Sequence, residues 1–114
     1  MNQGEIWLIN LDPAIGAETN KTRPAVIVNT NALAKHPLKV IVPVADWSER
    51  FSEVPWMVKI APDQKNGLID QSAIDCFQMR SLSEDRFVAK LGEVEAGILE
   101  LIKIALSKVL SIQP

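Results

Sequence analysis

The chain of 114 residues has one cysteine and one histidine. Cys76 alone excludes an intramolecular disulfide and leaves no cysteine cluster for zinc, so within AIDCF it reads as a small buried hydrophobe. His36, beside Pro37, reads as a solvated loop residue and has no second histidine with which to form an acid/base pair. No apolar run reaches the ~18 residues that a membrane span needs. The start, MNQGEIWLINLDP, lacks the basic segment and apolar core of a secretory leader. The expectation is a cytoplasmic protein with no membrane partner. HExxH, CxxC, GxSxG and the phosphate-loop pattern GxxxxGK are all missing, which removes metalloprotease, zinc, hydrolase-elbow and P-loop readings. An excess of positive charge is missing as well: a net of −2 argues against a broad surface for sliding on nucleic acid.

What is present describes a single folded domain, 1–114. Hydrophobic residues make up 47% and charged residues 23%, too apolar and too balanced for a disordered chain. The cations Lys21, Arg23, Arg50 and Arg80 stand apart from the acids Glu84, Asp85, Glu93, Glu95 and Glu100, which permits a basic groove on an acidic body. EIWLINL (5–11) is apolar on both faces, as in a strand buried from two sides. AVIVN (25–29), KVIVPVA (39–45), PWMVKIA (55–61), SAIDCFQMRSL (72–82) and FVAKL (87–91) bring the count to about six strands. Pro43 suggests an edge or a bulge, and Asn66-Gly67 a tight turn. From Glu95 on, Ile98, Leu101, Ile102, Ala105, Leu106, Val109 and Leu110 form a helical stripe that Leu99 and Ile104 widen. Short strands followed by one terminal helix predict a mainly β fold, a small, strongly bent antiparallel barrel with a C-terminal α-helix.

The stretch GAETNKTRPAVIVN places an arginine and a proline between a polar turn and a run of β-formers. Arg23 either pairs with Glu18 or another surface carboxylate, or is held over a groove as the centre of a site. GEIWLINLDPAIGAETNKTRPAVIVN resembles the opening of the PemK/MazF toxin family, which has a GE(I/V)W strand, a DP unit, a loop of the form GxExxxxRP and a strand of valines and isoleucines. KVIVPVADW and FQMRSL resemble further family segments, so the likeness spans nearly the whole chain.

That resemblance implies an SH3-like or CcdB-like barrel, a homodimer, and a cognate antitoxin whose acidic C-terminal tail covers the groove. It also implies cleavage of single-stranded RNA without a metal or other cofactor, through attack of a ribose 2′-OH on the neighbouring phosphate. Arg23 matches the family's catalytic arginine; its guanidinium stays charged and can grip two phosphate oxygens at once. Many family members carry a threonine where this chain has Ala45, so Asp46 or Ser48 is expected to handle the proton. Glu18, Lys21, Thr22 and Arg50 are expected at the RNA, with Trp47 either stacking on a base or capping the core. Gln78 and Arg80 either read base edges or fix the dimer. The alternative function on the same fold is a non-enzymatic or catalytically weakened family member that acts by protein binding, either pairing with the antitoxin and helping to repress its operon or acting as a gyrase-poison-like binder, the latter resting on Leu99 and Ile104.

Overall fold

The computed structural model describes residues 1–11 and 22–112. The double apolar pattern of EIWLINL is used on both sides. In β1 (Glu5–Asn10), Ile6 joins a core with Val26, Val42, Val44, Val58, Ile60 and Ile74. Ile9 instead enters a second cluster with Ala25, Ile27, Ile41 and Leu82, against which Trp7 and Phe87 pack. Removing β-branched side chains like these from water is the main stabilising force, about 1.5–3 kcal/mol for each one fully buried.

Six further strands complete the sheet: β2 (Thr22–Ile27), β3 (Leu38–Asp46), β4 (Met57–Ile60), β5 (Ser72–Asp75), β6 (Arg80–Ser83) and β7 (Phe87–Glu93). All described pairs are antiparallel, in the order β4-β5-β3-β2-β1-β7, with β6 also on β3. The expected long strand 72–82 is cut in two. Asp75 accepts a hydrogen bond from the Phe77 N–H at 3.1 Å and one from Gln78 Nε2 at 2.7 Å, and these hold a 3₁₀ turn over Cys76–Gln78. β3 therefore pairs with β6 through Leu38–Ile41 and with β5 through Val44–Asp46. Pro43, which has no N–H to donate, falls in the gap between those ladders and so is tolerated in a central strand rather than at an edge.

No ladder joins the edge strands β4 and β7 among the described residues; the loop between β4 and β5 spans the distance instead. The Glu93 N–H donates to the Lys65 carbonyl at 2.9 Å. Asn66 is fully buried: its Oδ1 accepts from the N–H groups of Asp63 and Leu68, and its Nδ2 donates to the Ala61 carbonyl. Gly67 follows at φ +68°, the left-handed conformation that glycine adopts without strain, so the Asn-Gly turn is present as read.

The helix α1 (Ala96–Leu110) lies against β4 and the 3₁₀ turn. Its inner stripe is Ile102 and Ala105, which are buried, and Ile98, Leu99 and Leu106, which are partly buried against the core, whereas Leu101, Ile104 and Leu110 face outward. Leu99 thus belongs to the inner face and Leu101 and Leu110 do not, a rotation of the stripe relative to the sequence reading. No helix among the described residues is long and apolar enough to cross a membrane.

Candidate active site

The β2–β3 ladder ends at Ala25↔Pro43. Beyond that pair the two strands part company. Arg23 and Thr22 continue along β1, opposite Ile9 and Asn10, while Ala45 and Asp46 continue along β5, opposite Ala73 and Ser72. Pro24, the first residue off the β2–β3 ladder, lacks a backbone donor, so pairing between β2 and β3 is least supported there. The sheet splits, and an open cleft of about 630 Å³ lies in the fork, lined by Thr22, Arg23, Pro24, Val44, Ala45, Asp46 and Ser72.

Arg23 is exposed at this cleft, inside a strand rather than in the turn before it. Continuing the register by two residues would set it opposite Ala45, whose methyl group leaves the space between them open. Asp46 is exposed on the same wall as Ala45. Ser72, opposite Asp46, is nearly buried and donates its hydroxyl proton to the Asp70 carbonyl at 2.9 Å. Ser72 carries no motif and no charge in the sequence; only the β3–β5 register reveals it.

The structure brings together three of the residues expected at the site, Thr22, Arg23 and Asp46. Glu18 and Lys21 lie outside the described residues. Ser48 is not on the cleft wall; it precedes a 3₁₀ turn over Glu49–Glu53 and its side chain makes no capping bond there. Trp47 belongs to neither core cluster, so it does not cap the core. Its indole N–H donates to Glu49 Oε1 at 3.0 Å, Phe51 meets it edge-on at 5.9 Å, and Lys59 Nζ sits 4.8 Å from its ring centroid. Arg50 lies 5.3 Å from the Phe51 ring centroid, in the same small stack. Gln78 is engaged by Asp75, and Arg80 is exposed on β6 opposite Ile41; neither lines the cleft.

Two other titratable groups are accounted for away from the cleft. Burial, and then the neighbouring Asp75 charge, push the Cys76 thiol up to about 12, so it stays protonated and inert. His36 is an exposed loop residue whose Nδ1 accepts from the Leu38 N–H. Among the described residues, no group of three or more His, Cys, Asp or Glu side chains is gathered so as to hold a metal ion.

Among the described residues, a seven-stranded antiparallel sheet with one packed helix and a fork that holds Arg23 and Asp46 defines a class of small β-rich proteins. Residues 2–110 match the family of PemK-like, MazF-like toxins of type II toxin-antitoxin systems, and the chain belongs to that family. It is 33% identical over 110 residues to a Mycobacterium tuberculosis protein named endoribonuclease MazF9, covering 93% of this chain and 92% of the relative. Its fold is similar to that of a mycobacterial endoribonuclease solved with its cognate antitoxin, with a TM-score of 0.79 at 22% identity over 100% of this chain and 98% of that one. A MazE-MazF structure from Deinococcus radiodurans is similar to the same degree, with a TM-score of 0.79 at 22% identity over 99% of this chain and 97% of that one.

Proposed function

We propose that this toxin is an endoribonuclease that cuts single-stranded RNA at the fork between β2 and β3. The observation that carries the reading is the placement of Arg23 and Asp46 on opposite walls of one open cleft. Arg23 holds the non-bridging oxygens of the scissile phosphate, where a charged planar donor stabilises the negative charge that grows as the phosphorus becomes five-coordinate. Asp46 takes the proton of the ribose 2′-OH as its oxygen bonds to phosphorus. The P–O5′ bond then breaks, and the proton passes to the departing 5′ oxygen. The products are a 2′,3′-cyclic phosphate and a 5′-OH. Thr22 and Ser72 supply the cleft's side-chain hydroxyls, which orient the ribose in the absence of a threonine at position 45.

The enzyme works in the cytoplasm as a homodimer, without a cofactor, and is silenced by an antitoxin whose acidic tail lies over Arg23. Relatives named as endoribonucleases and a neighbour solved with its antitoxin support this reading. The Trp47, Phe51 and Lys59 stack lies just past the β3 end of the cleft and extends the RNA path, with Arg50 beside it. The binding-only alternative keeps one observation, the outward Leu101 and Ile104 of α1, each 49% exposed.

End chemistry tests the proposal. Long, poorly structured RNA is incubated with antitoxin-free protein in EDTA, and the cut ends are mapped by primer extension. Recurrent cuts whose 5′ ends ligate only after kinase treatment are the expected result; intact RNA under all conditions overturns it.

A further inference from the structure

We propose that a second pocket beside the Arg23 cleft is a nucleobase subsite that selects bases carrying an exocyclic amino group. The proposal rests on the endoribonuclease reading above and names the feature of the RNA read next to the reacting phosphate. The pocket, about 290 Å³, shares Pro24, Asp46 and Ser72 with the cleft, so a nucleotide whose phosphate sits at Arg23 reaches it without leaving the surface. At the low end of the range for small-molecule sites, it suits one flat ring system rather than a whole nucleotide.

Its surface is built for a ring. Leu8, Leu91 and Pro24 form an apolar floor, and the wall is the loop Gly67–Asp70. That wall is preorganised: the buried Asn66 fixes the turn, and a Cβ on Gly67 would run into the backbone of Leu91. A rigid wall loses little entropy when a ligand binds. Ile69 stands at the mouth 89% exposed, an isoleucine placed to cover the face of a base.

The polar side chains of the pocket are acceptors. Asp46 and Asp70 are carboxylates, and the single proton of Ser72 is already given to the Asp70 carbonyl. Asp46 and Ser72 also line the cleft, where Arg23 offsets them; here Asp70 adds a second carboxylate and no cation stands among the described lining residues, which leaves the phosphate to Arg23 and the pocket to a base. Guanine offers N1–H and N2–H to one carboxylate, and cytosine and adenine offer their amino groups. Uracil presents one N–H between two carbonyl oxygens, which the carboxylates disfavour. A good side-chain pairing of this kind discriminates by roughly 5- to 150-fold.

The test uses a single-stranded RNA pool with a randomised central segment, cut by wild type, Asp70→Asn and Arg23→Ala, with the ends sequenced. Wild type is expected to show one position flanking the cut at which uracil is under-represented roughly 5- to 150-fold. Asp70→Asn should admit uracil there, because an amide can donate to its carbonyls, and Arg23→Ala should cut little at all. An identical base profile in wild type and Asp70→Asn overturns the subsite, and so does a preference for uracil. The same pool with 2′-O-methyl ribose, which cannot react, is also selected for binding. If RNA is not cut yet the bound pool shows an Asp70-dependent base preference, the nuclease reading fails and the subsite stands. Cutting without that dependence overturns the subsite alone, and the absence of both overturns both. Asp70 is exposed, so its substitution leaves the fold intact, which a melting curve verifies.

Discussion

Gly92 decides whether the loop between β4 and β5 is clamped to the sheet. It lies in β7 opposite Ile6, and a Cβ there would meet the Lys65 carbonyl oxygen and come within 2.7 Å of the Asn66 carbonyl carbon. Both obstacles are backbone, so neither can rotate away. Gly92→Ala therefore has to push the loop outward. The displacement strains the packing, at about 1–3 kcal/mol for overpacking, and weakens the hydrogen bond from the Glu93 N–H to the Lys65 carbonyl, worth about 0.5–1.5 kcal/mol. An opposing effect is smaller: Gly92 is not in the left-handed region, so alanine restricts the unfolded chain and returns about 0.4–1 kcal/mol. The balance is a loss of about 1–3 kcal/mol, read by urea denaturation as a lower midpoint at unchanged slope. Gly97→Ala in α1 is the control, because nothing lies within 4 Å of its added Cβ, and it should gain up to about 1 kcal/mol. If Gly92→Ala is as stable as wild type or more so, the clamp is refuted, and with it the rigid wall of the proposed base pocket.

Lys39 is completely buried, with its ammonium donating to the Ala34 and His36 carbonyls at 2.7 and 2.6 Å and paired with Glu84 at 3.0 Å. Lys39→Met, which strands those acceptors, should destabilise by about 2–3 kcal/mol in the same denaturation assay, while Glu84→Gln at the half-exposed partner should change it by less than about 1 kcal/mol. Burial alone would raise the pKa of Glu5, but the indole N–H of Trp7 at 2.9 Å, the Asn2 backbone and Lys90 at 3.4 Å outweigh it and hold the carboxyl below the ordinary glutamate value. A lowered folded-state pKa gives stability that is present above the unfolded value and lost as pH falls through the folded one, so the gap between wild type and Glu5→Gln should narrow in acid denaturation series below about pH 4.5. Cys76, buried with its thiol raised to about 12, should resist thiol reagents at neutral pH in the native state and react at once in denaturant.

The strands were legible because β-branched runs and turn residues are local signals, and the terminal helix because its apolar spacing is. What escaped was set by pairing across the sheet. SAIDCFQMRSL has the composition of one long strand, and nothing local announces that Asp75 caps a 3₁₀ turn and divides it. The helix stripe was rotated for a similar reason: Leu99, Leu101 and Ile104 are equally apolar, and only the position of β4 and the 3₁₀ turn decides which face inward. Arg23 stands out beside Pro24 in the sequence, but its cleft exists because β2 and β3 separate after Ala25↔Pro43 and go on to pair with β1 and β5, partners that no local signal names. Ser72 and Asp70, short polar residues in LIDQSAI, gain meaning only from the β3–β5 register and the folded-back loop.

If RNA is cut at the fork, Arg23 acts at the reacting phosphate. Single-turnover cleavage of one mapped single-stranded RNA, with enzyme in excess and EDTA present, measures it most directly when wild type is compared with Arg23→Ala. The expected rate is lower by about 10²- to 10³-fold in the variant, with an unchanged melting temperature because Arg23 is exposed and outside both core clusters. Cleavage by Arg23→Ala within twofold of wild type would contradict it.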